Sequence, residues 1–437
     1  MDVEQRIDAY LWDHRQVLVD LLRDMIRCPS VNPDLQPGAL GEKGFQMVLQ
    51  EWFSDCAVTI QSWDPDAEHL QRYQGQPGFH PHKDFRGRPL VVIRREGHGG
   101  EGHDLMFMGH SDVVPASEDN WVHPPFAGEY DSHRIFGRGA VDMKSGLAAA
   151  SLAVRALADL DIELDGDVLL ASVPDEEAGG MGTLALLDAG IRADAAIIPE
   201  PTDLRIAPLC RGILWGKITI EGKSGHIEMP QPSWEEGGAV DALNRAYMLY
   251  TIFQHTNQMW TSDPRKRHPL LREPNQIKVA AVRGGTYATS YADHVEMIIN
   301  VQYLPAERDE HLRGGHVQHE VEHLVAELTQ SDSWLQRHPP RIDWLVDADC
   351  GETPQGHPLV NSVHTALVST GHESIIEGIH SHTDMGLLIN AGIPTVNFGP
   401  GSPYMAHQIN ESVAIDDMLV AARTMARVAL DWGRYRG

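Results

Sequence analysis

Short apolar runs separated by helix-patterned stretches constrain this chain more than any other feature. Asp104 to Gly109 (DLMFMG), Asp167 to Val173 (DVLLASV), Asp194 to Ile198 (DAAII) and Pro394 to Phe398 (PTVNF) each read as a buried strand. Lys144 to Leu160 (KSGLAAASLAVRALADL) has helical spacing, as do residues 14 to 27. Strands alternating with helices predict an α/β domain with a mostly parallel sheet.

The middle of the chain breaks that pattern. Ile213 to Glu221 (ILWGKITIE) alternates like a half-exposed strand. A helix over 239–254, strands near 275–282 and 295–303, a helix over 308–328 and a strand near 341–346 follow. This β-α-β-β-α-β order predicts a small α+β, ferredoxin-like unit with helices on one face of its sheet. The α/β pattern resumes after Cys350, so the unit reads as an insertion. Residues 1–210 and 350–437 then form one domain and 211–349 a second, as a length of 437 residues favours. Residues 64–87 and 255–274 are polar and turn-rich and read as long loops.

Charge narrows the partners. The chain carries 62 acidic and 35 basic residues, a formal net charge of -27. Such a surface repels phosphate backbones, which argues against nucleic acid and anionic membrane. No stretch is apolar enough for a membrane helix. The opening residues MDVEQRIDAY lack the features of a signal peptide, and the four cysteines form no CxxC pair. A cytoplasmic location is expected.

Metal-ligand residue types recur where the predicted strands end. His110 and Asp112 lie in GHSDVVP, Asp142 in GRGAVDMKSG, Glu176 and Glu177 in VPDEEAGG, Glu200 in IIPEPTD, and His407 in GPGSPYMAHQINES. Loops beyond the carboxyl ends of a parallel sheet are where α/β folds bind ligands. Zinc takes imidazole and carboxylate ligands at about 2.0–2.2 Å. Two histidines and three carboxylates suffice for two ions if one carboxylate bridges, and ions about 3.5–4 Å apart form a hydrolytic arrangement. Taken singly, each residue has an ordinary reading: Asp142 as a helix cap, Asp112 as a turn residue, Glu176 and Glu177 as a solvated pair. His80, His82, His380 and His382 read as surface or core histidines. The recurrence of the set at strand exits favours a metal site.

These motifs, with GKSGH, PDEEAGGMGT and GIPTVNFGPG, closely resemble the M20 metallopeptidases over nearly the whole chain. The branch most similar is that of acetylornithine deacetylase and succinyl-diaminopimelate desuccinylase. The resemblance implies a split metal-binding catalytic domain, with the insertion as a lid and dimerisation domain. It implies that His110 and Glu200 bind one zinc, Asp142 bridges, and Glu177 and His407 complete a second, with cobalt or manganese as alternatives. It makes Asp112 the carboxylate that orients His110 and Glu176 the general base and acid. It also makes His226 a group that polarises the scissile carbonyl in the partner subunit's site of a homodimer. The implied activity removes an acyl group from a small N-acyl compound. The alternatives are an aminopeptidase, dipeptidase or carboxypeptidase of the same family, or a non-catalytic binding protein on the same fold. No substrate-binding residue is assigned. Gly386 stands where the branch commonly has an arginine, and Ala292 where it has a proline. Arginine suits bidentate carboxylate binding, so the first departure points away from an ordinary α-carboxylate unless Arg211 or Arg283 substitutes.

Overall fold

The computed structural model describes residues 1–117 and 120–436. The chain divides into two compact units: Met1–Cys210 with Gly351–Ile379 and Thr383–Gly437, and Arg211–Cys350 with His380–His382.

Along the chain, helices α1 (Val3–Asp13) and α2 (Arg15–Arg27) precede strands β1 (Thr59–Trp63), β2 (Leu90–Arg95) and β3 (Leu105–His110). Helix α3 (Lys144–Asp159), strand β4 (Val168–Val173), helix α4 (Met181–Asp188) and strand β5 (Ala195–Ile198) follow. The second unit supplies β6 (Gly212–Glu221), α5 (Ala242–Trp260), β7 (Ile277–Gly284), β8 (His294–Tyr303), α6 (Gly315–Ser331) and β9 (Arg341–Ala348). The first unit then closes with α7 (Met385–Asn390), β10 (Thr395–Asn397) and α8 (Ile415–Trp432).

The first unit is built on a six-stranded sheet of order β1-β2-β4-β3-β5-β10. Strands β4, β3, β5 and β10 run parallel, while β2 and β1 join antiparallel at one edge. This is the α/β, mostly parallel sheet that the apolar runs predict. Successive side chains of a strand point to opposite faces, and both faces are covered. Leu105 and Phe107 pack with α3 and α8, while Met106 and Met108 pack with α4 and α7. Two glycines seat the loops that carry acidic residues. A Cβ on Gly146 of α3 would stand 1.8 Å from the Pro199 carbonyl oxygen, and one on Gly182 of α4 would stand 1.9 Å from that of Pro174. Only a residue without a side chain lets each helix approach so closely the chain leading to Glu200 and to Glu176.

The second unit has a four-stranded antiparallel sheet of order β9-β6-β8-β7. Leu214, Ile218 and Ile220 of β6 face Ala246, Leu249 and Phe253 of α5 and Val317, Val321 and Val325 of α6. Helices therefore cover one face, the ferredoxin-like α+β arrangement.

Several boundaries differ from the sequence reading. Helix α5 continues to Trp260 because Thr256 and Trp260 are buried, so part of the stretch expected as a loop is helical. Helix α6 begins at Gly315, because the Asp309 carboxylate accepts the amides of His311 and Arg313 and holds a turn instead. No helix among the described residues is long and apolar enough to cross a membrane.

Candidate metal centre

His110 ends β3, the Glu176–Glu177 pair follows β4, Glu200 follows β5, and Asp142 precedes α3. His407 lies on the irregular segment after β10. The expected residues of the first unit thus gather at the carboxyl ends of its parallel strands.

Asp142 is central. Its Oδ1 lies 3.1 Å from His110 Nε2 and its Oδ2 lies 3.2 Å from His407 Nε2. His407 Nε2 is also 3.2 Å from Glu177 Oε2, and His110 Nε2 is 3.7 Å from Glu200 Oε1. Tetrahedral ligands about 2.1 Å from one ion stand about 3.4 Å apart. The observed separations match, with one carboxylate oxygen turned to each imidazole. His110, Asp142 and Glu177 form a group able to hold an ion. Glu177 Oε1 is buried without a hydrogen-bond partner among the described residues. Four carboxylates, Glu200 buried and Asp142, Glu176 and Glu177 partly buried, face two imidazoles, an excess of negative charge that a protein interior tolerates when cations are present. The donor set fits two metal ions.

The electrostatics agree. Burial raises the pKa of Glu176, Glu177 and Glu200. Burial alone would lower His110, but its hydrogen bond to Asp142 and the charges of Glu176 and Glu200 hold it well above the usual value. Hydrogen bonds to Asp142 and Glu177 lift His407 to about 10. Burial opposes ionisation of Asp142, yet its two imidazole partners keep it below the usual carboxylate range.

Asp112 contacts His110 differently from the expectation. His110 Nδ1 donates to the main-chain carbonyl of Asp112 at 2.9 Å, while the nearest carboxylate oxygen is 3.6 Å away. That carboxylate instead accepts the amides of Glu176 (3.1 Å) and Glu177 (3.2 Å) and the Asn32 side chain (2.7 Å). Asp112 therefore shapes the glutamate turn as well as the imidazole. Asn32 and Lys83 both reach Asp175, at 3.2 and 2.9 Å, and Lys83 also donates to Ala178 O. His80, read as an ordinary histidine, lies 3.1 Å from Gly179 O. The polar segment 64–87 is thus packed onto the glutamate turn.

His226 belongs to the second unit, where it is exposed and its Nδ1 accepts the Glu228 amide at 3.3 Å. Of the two arginines considered for a carboxylate, Arg211 is buried and bound to Gln302 and Glu273, whereas Arg283 is exposed on β7.

The sequence reading missed Asp384, whose Oδ2 accepts from Thr183 at 2.5 Å and whose pKa burial raises to about 6. An oxygen of Asp384 lies within 4.8 Å of one of Glu176. It also missed Arg138 and Glu411, a buried pair beside Asp142. Arg138 and Glu411 stand inside motifs already noted (GRGAVDMKSG and GPGSPYMAHQINES), and Asp384 lies two residues before Gly386, which was the available signal.

A model of Peptidase family M20/M25/M40 matches residues 106–431. The N-formyl-4-amino-5-aminomethyl-2-methylpyrimidine deformylase of Bacillus subtilis (strain 168) is 28% identical over 437 residues, covering 96% of this chain and 95% of the relative. The enzyme of the same name from Halalkalibacterium halodurans is 26% identical over 454 residues, covering 100% and 99%. The fold is similar to that of the di-peptidase Dug1p from Saccharomyces cerevisiae, with a TM-score of 0.75 at 16% identity, covering 100% of this chain and 99% of that one.

Proposed function

The chain belongs to peptidase family M20/M25/M40 and is a hydrolase that removes an acyl group from a small N-acyl compound, and we infer that the group is formyl and the amine an aminomethylpyrimidine. The observation that carries the reaction is Asp142, with one oxygen turned to each of two imidazoles among buried and partly buried carboxylates. The substrate is supported by the full-length likeness to two deformylases. Their named substrate has amines and no carboxylate, which suits Gly386 in place of an arginine.

We assign zinc to both positions: His110 and Glu200 on the first, Glu177 and His407 on the second, Asp142 between them. Bound there, zinc supplies Lewis acidity that lowers the pKa of a water to about 7. Glu176 takes a proton from the attacking water and delivers it to the leaving nitrogen as the C–N bond breaks. Formate and the free amine are the products. Asp112 holds the turn that aims Glu176.

The active form is a homodimer joined through the second unit. Leu243, Tyr247 and Tyr250 of α5, at i, i+4 and i+7, are 53%, 67% and 40% exposed, an apolar stripe suited to a second copy. His226 then donates to the acyl oxygen in the partner's site. Among the described residues no disulfide joins the four cysteines, which suits a cytoplasmic setting.

The test is hydrolysis of the N-formyl aminomethylpyrimidine beside N-acetyl amino acids and dipeptides, with a chelator control. Chelator-sensitive release of formate supports the reading. Turnover of dipeptides alone moves the assignment to a peptidase, and turnover of the acetyl compounds alone overturns the formyl assignment.

A further inference from the structure

We propose that the buried pair Arg138–Glu411 is a positioning device for the second metal position, tying the main chain of Asp142 to that of His407. The inference rests on the two-metal reading above. Arg138 Nη1 and Glu411 Oε2 are 2.5 Å apart, with side chains 4% and 0% exposed. The other oxygen of Glu411 accepts the amides of Val141 (2.7 Å) and Asp142 (3.2 Å). The guanidinium also donates from Nη2 to the carbonyl of His407 (3.2 Å) and from Nη1 to that of Gln408 (3.3 Å). One planar fork and one carboxylate thus bridge two segments about 270 residues apart in sequence.

The two metal positions depend on this bridge unequally. His110 ends a fully buried core strand, and Glu200 follows another. Those side chains are aimed by the sheet. His407 is on no regular element, its side chain is 51% exposed, and its backbone φ is 62°, in the left-handed region. Its carbonyl contact with Arg138 is therefore a main restraint on where the imidazole points. A buried ion pair is a weak source of net stability, because desolvation offsets most of its Coulomb gain. What this pair supplies is geometry: it fixes the Asp142 backbone, whose Oδ2 faces His407, and the His407 backbone together.

Equilibrium dialysis of the full chain against buffered Co²⁺, with Co²⁺ absorption spectra, tests the proposal. Wild type takes up two ions. Arg138→Met and Glu411→Gln are expected to bind the first with unchanged affinity and the second about 10–100-fold more weakly, the usual effect of losing a partner behind a ligand. The absorption change at the second equivalent is expected to alter in both. Arg138→Lys should recover part of the loss, since an ammonium meets Glu411 but not both carbonyls. Glu411→Gln preserves side-chain volume and decides the matter if Arg138→Met does not fold. Wild-type affinity at both positions in the variants, or equal weakening of both, would overturn the proposal. Fewer than two ions on wild type would instead overturn the two-metal reading beneath it.

Discussion

Glu176 and Glu177 are neighbours whose amides both donate to Asp112, yet their side chains diverge. Glu177 Oε2 lies 3.2 Å from His407, whereas Glu176 Oε2 comes no nearer than 3.9 Å to His110. Glu176 therefore suits proton transfer and Glu177 ligation. Glu176→Gln is expected to keep both ions, measured by atomic emission, while turnover falls about 10²–10⁴-fold. Loss of an ion together with activity would make Glu176 a ligand instead. Residue chemistry was legible where it asked only for ligand types at strand exits, as with His110 and Glu200. It was less legible where a role depends on main-chain geometry. That Asp112 spends its carboxylate on two amides, or that Arg138 reaches a carbonyl 269 positions away, follows from loop conformations that no residue type announces.

At the scale of elements, α3 shows how a single buried lysine joins helix to helix. Lys144 opens α3 and is fully buried, and its Nζ donates to Met25 O (3.0 Å) and Cys28 O (2.9 Å) at the end of α2. Burial pushes its pKa from 10.5 down to about 7. Between those values the unfolded chain holds a proton that the folded chain has lost, so stability rises with pH across that window. The gain is at most about 1.4 kcal/mol per pH unit. Urea unfolding of chelator-treated protein at pH 7 and 9 should show this increment in wild type and its loss in Lys144→Met. Equal slopes would mean that Lys144 keeps its proton. The buried runs that became β3, β4, β5 and β10 were legible because continuous apolarity marks a strand covered on both faces. Strand β1 escaped because Thr59–Trp63 is largely exposed and carries no such run. The start of α6 was misplaced because Asp309 competes locally for the amides that a helix would have used.

At the scale of the whole molecule, the decisive issue is whether one copy supplies a group to another. His226 is exposed on the second unit, the unit that also carries the apolar stripe of α5. If His226 serves the partner's site, two inactive variants must complement each other. Glu176→Ala and His226→Ala homodimers each lack a working site. In a mixed dimer, however, the chain with intact Glu176 receives His226 from its partner, so one of two sites is whole. Random mixing makes half the dimers mixed, so activity should return to roughly a quarter of wild type. If His226 instead served its own chain's site, every site in the mixture would keep one defect and no activity would return. Tyr247→Glu, which places a charge in the α5 stripe, is expected to give monomers by sedimentation and to abolish the complementation. Complementation that survives in demonstrated monomers would exclude the shared site.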